Sequence, residues 1–248
     1  MKPYLSVIIP ARNEAKRLPT TLIDIDRHLS QADFSYEIIV VNGGSKDATL
    51  EVAKRFSQLM KNMRVLNTEN RGKGWSVREG MLNAKGTIRL FTDADNSTSI
   101  DQLSKMLPYL SAKGDEKYDI VIGSRDIKGA RLVPPQSWYR RLGGNIGNLI
   151  IQVLLLPGIW DTQCGFKAFT GEAAIKLFQN MQILGFAFDV EILILAKKLG
   201  FHFKEIPVTW VNEPFSSVKA SSYIQFLIDV FKIKWWLMNG KYGILIHE

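Results

Sequence analysis

The chain has 248 residues, 46% of them hydrophobic and 23% charged, with one cysteine and three histidines. A chain of this length hides roughly 70–75% of its unfolded surface on folding, so the core needs no covalent or metal staple, and one Cys with three His excludes both disulfide scaffolds and zinc modules. The 32 Lys and Arg against 24 Asp and Glu leave a net charge of +8, which points to an anionic partner: nucleic acid, lipid headgroup or phosphorylated small molecule.

Residues 1 to 10 hold too short an apolar stretch for a secretory signal and no small-residue cleavage site, so a cytoplasmic start is expected. No window reaches about 18 uninterrupted apolar residues, which argues against a simple membrane span. In chain order, Leu5 to Ile9, Glu37 to Val41, Met63 to Leu66, Thr87 to Phe91 and Tyr118 to Ile122 read as strands. They are nearly continuous apolar runs, as expected where both sheet faces are covered. Helical patterns lie near 15–29, 47–60, 74–84 and 99–112, with apolar residues at i, i+3 and i+4. The alternation predicts an α/β fold, a parallel sheet flanked by helices. Right-handed crossovers gather the carboxyl ends of its strands at one edge, where ligands of such sheets bind. The residues that follow the strands are polar there: Pro10-Ala11-Arg12-Asn13-Glu14, Asn42-Gly43-Gly44-Ser45, Asp93-Ala94-Asp95 and Gly123-Ser124-Arg125. From about residue 124 the pattern changes to a basic, Pro-containing stretch, then an apolar helix near 138–156, a short strand around Lys167 to Phe169 and a helix near 188–199. A strand from Phe203 to Val211 and an amphipathic tail complete the chain, without internal repeat or long linker.

Two carboxylates one residue apart at a strand end, Asp93 and Asp95, can both face a hard divalent cation shared with a diphosphate; a solvated turn with Asp95 as a helix cap fits the same residues. The Asn42-Gly43-Gly44-Ser45-Lys46-Asp47 turn allows a ligand to approach backbone closely, and Asp47 can cap the next helix. Arg71-Gly72-Lys73-Gly74 offers two cations for phosphate or a base, and a solvated turn fits these residues equally. Residues 124 to 141 hold Arg125, Lys128, Arg131, Arg140 and Arg141 against one acid, Asp126. Arginine forks match phosphate oxygens, and this basic stretch leads into the greasy run Leu149 to Leu156, an arrangement that suits a phosphate on a lipid tail or a buried core helix with a polar entry. The tail from Tyr223 to Met238 mixes aromatics with Lys232 and Lys234. That pattern fits an interfacial helix on an anionic bilayer, and equally packing against the domain or a second subunit.

Together these residues resemble family 2 glycosyltransferases of the GT-A fold, and within that family the dolichyl-phosphate β-glucosyltransferases and related polyprenyl-phosphate glycosyltransferases. The matching segments run in order along nearly the whole chain: Val7 to Glu14, Glu37 to Val41 with Gly44 to Asp47, Asn70 to Gly74, Asp93 to Asp95, Gly123 to Arg125, Asp161-Thr162-Gln163-Cys164-Gly165-Phe166-Lys167, and Phe186 to Glu191. The resemblance implies a GT-A domain over residues 1–215, with a nucleotide-sugar half (1–123) and an acceptor half (124–215), followed by an amphipathic tail (216–248). It further implies that the donor lies against Pro10, Ala11, Arg12, Asn13, Glu14, Asn42, Lys73, Asp93 and Ala94, and that Asp93 and Asp95 hold Mg²⁺ or Mn²⁺ on the diphosphate. Arg125 and Arg140, with Arg141 beside them, would grip the acceptor phosphate, and Asp161 would order the arginines. Two departures stand out: the family usually has two acids where this chain has Asn42-Gly43, and mannose-using relatives have an amide where this chain has Ser97.

The expected activity is transfer of a hexose, glucose from UDP-glucose being favoured by the likeness, to a polyprenyl or dolichyl phosphate with inversion at the anomeric carbon, at the cytoplasmic face of a membrane that the protein contacts peripherally. A phosphate acceptor with a second pKa of about 6 is already largely a dianion and needs no strong general base. Two alternatives share the donor site: a GDP-mannose-using enzyme, and a soluble transferase acting on a sugar hydroxyl. The latter needs a carboxylate base, for which Asp161, Asp189 and Glu191 are candidates. No basic stripe interleaved with stacking aromatics stands out in the sheet half, so nucleic acid is not an expected partner.

Overall fold

The computed structural model describes residues 2–70, 72–134, 147–211 and 220–242. The first half alternates strand and helix as predicted: β1 (Leu5–Ala11), α1 (Leu18–Leu29), β2 (Tyr36–Gly43), α2 (Thr49–Leu59), β3 (Met63–Thr68), α3 (Lys73–Asn83) and β4 (Ile88–Thr92). After α4 (Leu107–Ser111) come β5 (Ile120–Ser124), β6 (Arg131–Val133), a helix α5 over 147–154, β7 (Phe166–Thr170), α6 (Gly171–Asn180) and α7 (Phe188–Lys198). Two further strands, β8 (Phe203–Pro207) and β9 (Thr209–Val211), precede α8 (Ala220–Met238). Seven strands form one sheet in the order β3-β2-β1-β4-β7-β5-β8. Every pairing in it is parallel except those of β7, which runs antiparallel between β4 and β5.

Successive strand residues point to opposite faces, and the buried side chains sort accordingly into two cores. Ile8, Ile39, Val41, Phe91, Ile120, Ile122 and Phe169 face one side, packed under α3, α6, α7 and the inner faces of α5 and α8. Val7, Ile9, Ile38, Val40, Leu90, Val121 and Ala168 face the other, under α1, α2 and the turn-rich segment from Ile100 to Leu110. Helix α3 lies close on β1 because position 80 has no side chain: a Cβ on Gly80 would stand 2.2 Å from Ile8 Cγ2.

The structure corrects two predicted elements. The helix expected over 99–112 is a 3₁₀ segment (Ile100–Lys105) followed by α4, with Pro108 in the first turn of α4. Proline lacks the N–H that a continuous helix would use there and is at home in a first turn. The strand expected from Phe203 to Val211 is divided: β8 pairs with β5, while β9 leaves the sheet to pair with β6. Pro207 closes β8, and the Val208 N–H donates to Ser124 O at 3.1 Å as the chain turns away. Helix α6 was not foreseen, although Thr170 announces it: its Oγ1 accepts the Ala173 N–H at 3.3 Å as an N-cap. Of the helix expected over 138–156, residues 135–146 lie outside the described residues.

Phe169 is fully buried between Phe91 and Phe178, at centroid distances of 6.4 and 5.5 Å. Phe169→Ala is therefore expected to cost about 3–5 kcal/mol, and Thr170→Ala about 1 kcal/mol, a contrast that urea unfolding followed by circular dichroism measures directly.

Candidate active site

The polar segments that follow β1, β2, β4 and β5 lie along one sheet edge, and the first two are tied directly to each other. Asn13 adopts φ 57°, a conformation that Asn tolerates. Its N–H donates to Ser45 Oγ at 3.0 Å and its Oδ1 accepts the Lys46 N–H at 2.8 Å. The Glu14 N–H donates to Thr49 Oγ1 (2.8 Å) and the Ala15 N–H to Asp47 Oδ2 (3.2 Å). Asp47 also accepts from the Thr49 N–H and hydroxyl. Burial works against its charge, but these hydrogen bonds outweigh burial and hold its carboxyl below the usual range. The predicted turn after β2 is thus a brace for the loop after β1. Arg12 stays exposed beyond this brace, Pro10 is half-buried and Ala11 is buried in the core. Asn42 is buried at the end of β2; its Nδ2 donates to Asn67 Oδ1 at 2.7 Å, while its Oδ1 has no partner among the described residues.

Asp93 and Asp95 follow β4 and point to different neighbours. The Asp93 N–H donates to Gly165 O at 3.2 Å, and a Cβ on Gly165 would stand 1.9 Å from Asp93 Oδ2, so only glycine leaves room for this carboxylate. Lys73, the first residue of α3, places Nζ 2.7 Å from Asp93 Oδ1. Burial disfavours the Lys73 charge, but Asp93, and behind it Asp189, more than compensate and keep the ammonium protonated, its pKa raised. Asp95 Oδ1 accepts the Ser97 N–H at 3.0 Å, and its Oδ2 lies 3.7 Å from Arg17 Nη1. Arg17 in turn forks onto Glu14, Nε to Oε2 at 2.7 Å and Nη2 to Oε1 at 2.6 Å. Burial is the main influence on Glu14, and with help from Asp95 and Asp93 it pushes the carboxyl up against the opposing pull of Arg17. Ala94 between them is buried, its carbonyl accepting from Thr21 Oγ1 at 2.7 Å.

Arg125 follows β5. Its Nε donates to Asp161 Oδ2 (2.7 Å), its Nη2 to Asp161 Oδ1 (3.0 Å) and its backbone N–H to Oδ2 (2.9 Å). Asp161 is fully buried, and Glu205 holds the N–H groups of Trp160 and Asp161 at 3.0 Å each. The guanidinium lies 5.5 Å from the Trp210 ring centroid and keeps part of its surface exposed, 24% of the side chain. Burial alone would raise the Asp161 carboxyl, but the Arg125 charge and its hydrogen bonds hold it well below the usual range.

The segment from Asp161 to Lys167 serves the whole edge. Asp161 orients Arg125, Gly165 accommodates Asp93, and the buried Lys167 donates to Cys164 O at 2.6 Å and pairs with Asp189. Cys164 has its thiol pushed up to about 12, chiefly by burial and then by Asp161. Of the three carboxylates considered as bases, Asp161 is held by Arg125 and Asp189 by Lys167. Glu191 accepts from the Gln182 and Ile183 N–H groups (3.0 and 2.7 Å) and from the Tyr242 hydroxyl (2.6 Å). Sequence reasoning gave no role to Arg17, Lys167, Glu205 or Tyr242; only Arg17 carried a local signal, three residues after Glu14. Arg71, Arg140 and Arg141 lie outside the described residues.

Two hard carboxylate oxygen donors at one strand end fit a divalent cation whose remaining ligands come from a diphosphate or water. Among the described residues no cluster of three His, Cys, Asp or Glu completes a protein-only site.

This sheet, with paired acids after β4 and cations around them, is the architecture of a GT-A glycosyltransferase. The glycosyl transferase family 2 profile matches residues 6–178, and the chain belongs to that family. It is 37% identical over 251 residues to dolichyl-phosphate β-glucosyltransferase of Dictyostelium discoideum, covering 97% of this chain and 77% of the relative. The Drosophila melanogaster enzyme of the same name is 39% identical over 240 residues, covering 92% and 74%. Among solved structures, glucosyl-3-phosphoglycerate synthase from Mycobacterium tuberculosis in complex with Mn²⁺, UDP-glucose and phosphoglyceric acid shares the fold. Its TM-score is 0.66 at 20% identity, covering 94% of this chain and 80% of that one.

The Asp161 carboxyl is held low in the folded state, so it contributes stability that is present above the ordinary aspartate pKa of about 3.9 and lost as pH falls through its folded value. Asp161→Asn is expected to cost about 3 kcal/mol at pH 7, because the Arg125 charge is left without its buried partner. The gap to the wild type should close as unfolding is measured at progressively lower pH below about 4.

Proposed function

We propose that the protein transfers glucose from UDP-glucose to dolichyl phosphate or a similar polyprenyl phosphate, with inversion at the anomeric carbon. The observation that carries this reading is the state of the edge carboxylates: Asp161, Asp189 and Glu191 are each buried and bonded to a partner, so none stands ready to deprotonate a sugar hydroxyl. Asp161 instead aims the arginine fork of Arg125, which suits an acceptor that arrives already ionised. The names of the relatives favour glucose over mannose, and UDP-glucose with Mn²⁺ in the glucosyl-3-phosphoglycerate synthase structure supports the same donor and a divalent metal.

In this mechanism a phosphate oxygen of the acceptor forms the new bond to the anomeric carbon as the bond from that carbon to the nucleotide diphosphate breaks. Asp93 and Asp95 would hold a divalent cation, which when bound would neutralise the diphosphate charge that grows on departure. Lys73 adds a second positive charge on the same side. Arg125 holds a nucleophile that the donor diphosphate repels, so its task is positioning against electrostatic resistance. The brace between the β1 and β2 loops shapes the nucleoside side, with Arg12, Glu14 and Asn42 nearest the base and ribose. The family likeness assigns Arg140 and Arg141 to the acceptor phosphate as well.

A lipid acceptor requires a membrane within reach. No helix among the described residues is long and apolar enough to cross one, but α8 carries an exposed apolar stripe at helical spacing: Ile224, Ile228, Phe231, Trp235 and Met238. Its opposite face, Val230, Ile233 and Trp236, is buried in the core. Leu149 and Val153 of the neighbouring α5 are exposed as well, and Lys234 ties the two helices by donating to Leu154 O at 3.0 Å. Lys232 and Lys241 each place Nζ over the Trp236 ring, at 4.6 and 4.2 Å from its centroid, at the border of the buried face. This supports peripheral contact with an anionic bilayer.

With Mn²⁺, dolichyl phosphate and a panel of UDP and GDP sugars, UDP release is expected only from UDP-glucose and only with the lipid present. Asp95→Ala and Arg125→Ala should each lower it by about 100-fold or more. Release with Arg125→Ala but without lipid would reject the phosphate acceptor. Flotation with anionic liposomes tests the membrane contact separately: wild-type protein should float, and a Phe231→Asp, Trp235→Asp double variant should stay in solution while keeping its circular dichroism spectrum.

A further inference from the structure

Both carboxylates of the Asp93-Ala94-Asp95 motif face a basic side chain, and neither cation is loosely placed. Lys73 Nζ lies 2.7 Å from Asp93 Oδ1, with 21% of its side chain exposed. It extends from the start of α3, which the 183–185 backbone presses closely: a Cβ on Gly72 would stand 2.2 Å from Leu184 O, and one on Gly74 would stand 2.9 Å from Gly185 O. Arg17 Nη1 lies 3.7 Å from Asp95 Oδ2 while the same guanidinium grips Glu14 in a fork. Beneath them Asp189, within electrostatic reach of Lys73, is paired with Lys167. The four acids Glu14, Asp93, Asp95 and Asp189 therefore meet three cations, Arg17, Lys73 and Lys167, in one small volume.

A bare divalent cation entering this cluster gains two carboxylates but meets Lys73 and Arg17 at close range. A cation that enters on a nucleotide diphosphate brings negative charge with it and gives Lys73 a new partner. We propose that Lys73, assisted by Arg17, is the resident counter-cation of the acid pair, so that the divalent metal binds together with the nucleotide diphosphate and not ahead of it. Lys73 then passes from Asp93 to the diphosphate oxygens, which makes it the residue that couples metal binding to donor binding. Such coupling is reciprocal: UDP tightens Mn²⁺ by the same factor by which Mn²⁺ tightens UDP. The inference rests on the nucleotide-sugar reading of the same site and adds an order of binding to it.

The test is a binding cycle on the full chain with no acceptor and no turnover. Free Mn²⁺ is followed by its paramagnetic resonance signal, with and without UDP, for the wild type, Lys73→Met and Lys73→Arg. For the wild type, Mn²⁺ alone should bind weakly and UDP should tighten it by a factor at the upper end of the 5- to 150-fold range of about 1–3 kcal/mol couplings. Lys73→Met should bind Mn²⁺ alone about tenfold more tightly and show a smaller effect of UDP. Lys73→Arg, which keeps the charge, should follow the wild type. If Lys73→Met does not fold, Arg17→Met provides the same reading through Asp95. Equal or weaker Mn²⁺ binding by the folded Met variant overturns the inference and leaves the nucleotide-sugar reading standing. Failure of UDP to bind any of the proteins, with Mn²⁺ or without, removes the nucleotide-sugar reading and this inference with it.

Discussion

One backbone hydrogen bond, from the Asp93 N–H to the Gly165 carbonyl, joins the two sides of this site. It exists because β7 runs antiparallel between β4 and β5, so the chain entering β7 passes directly beside the residues leaving β4. Residues 161–167 thereby reach both ends of the edge within seven positions: Asp161 at the Arg125 side, Gly165 at the Asp93 side, and Lys167 beneath them. A donor site and an acceptor site carried on separate loops would each move on its own. If Asp93 serves the donor and Arg125 the acceptor, as proposed, one short segment sets their separation, and in a reaction that brings two anionic phosphates together, separation and orientation are the greater part of what a protein can supply.

That arrangement places several ionised side chains out of water, where an uncompensated charge is strongly destabilising. The structure gives each a partner. Asp161 has Arg125, Lys167 has Asp189 and the Cys164 carbonyl, and Glu205 takes two backbone N–H groups so that the 160–161 turn is not left unsatisfied. Removing one partner of such a pair is costly, but the pair as a whole offsets the loss of water around its charges more than it adds net stability, which resides in the two apolar layers covering the sheet. Glu191 extends the same logic to the end of the described chain: by accepting the Tyr242 hydroxyl and two loop N–H groups, it fastens the segment after α8 to the loop that presses on α3.

The parallel half of the fold was legible in the sequence because its strands are nearly continuous apolar runs and α1 and α2 between them are amphipathic at the helical period. The edge was legible too, since polar residues recur after β1, β2, β4 and β5, although a solvated turn explains any one of them taken alone. What escaped was decided at long range. The antiparallel insertion of β7 leaves no local trace in Phe166 to Thr170, whose five residues suit either direction. Lys167 reads as a surface charge until the fold brings Asp189 against it, and Glu205 reads as one half of an alternating strand. Pro108 and Pro207 did carry local information: Pro108 sits in the first turn of α4, where a helix continuous from residue 99 would have needed its N–H, and Pro207 closes β8. The Asp161 to Lys167 block was recognisable as a unit from its family likeness, but the separate duties of Asp161, Gly165 and Lys167 appear only in three dimensions.

Cys164 sits inside that block, fully buried, between the residue that orders Arg125 and the residue that makes room for Asp93. Because the thiolate is the reactive form and this thiol is both enclosed and pushed up to about 12, its reaction with a reagent outside requires the segment to open first. As the sole cysteine among 248 residues, it gives the protein an internal reporter: an alkylating agent reaches the thiol only when the segment that supports both Arg125 and Asp93 has opened, so consumption of the thiol tracks opening of that segment.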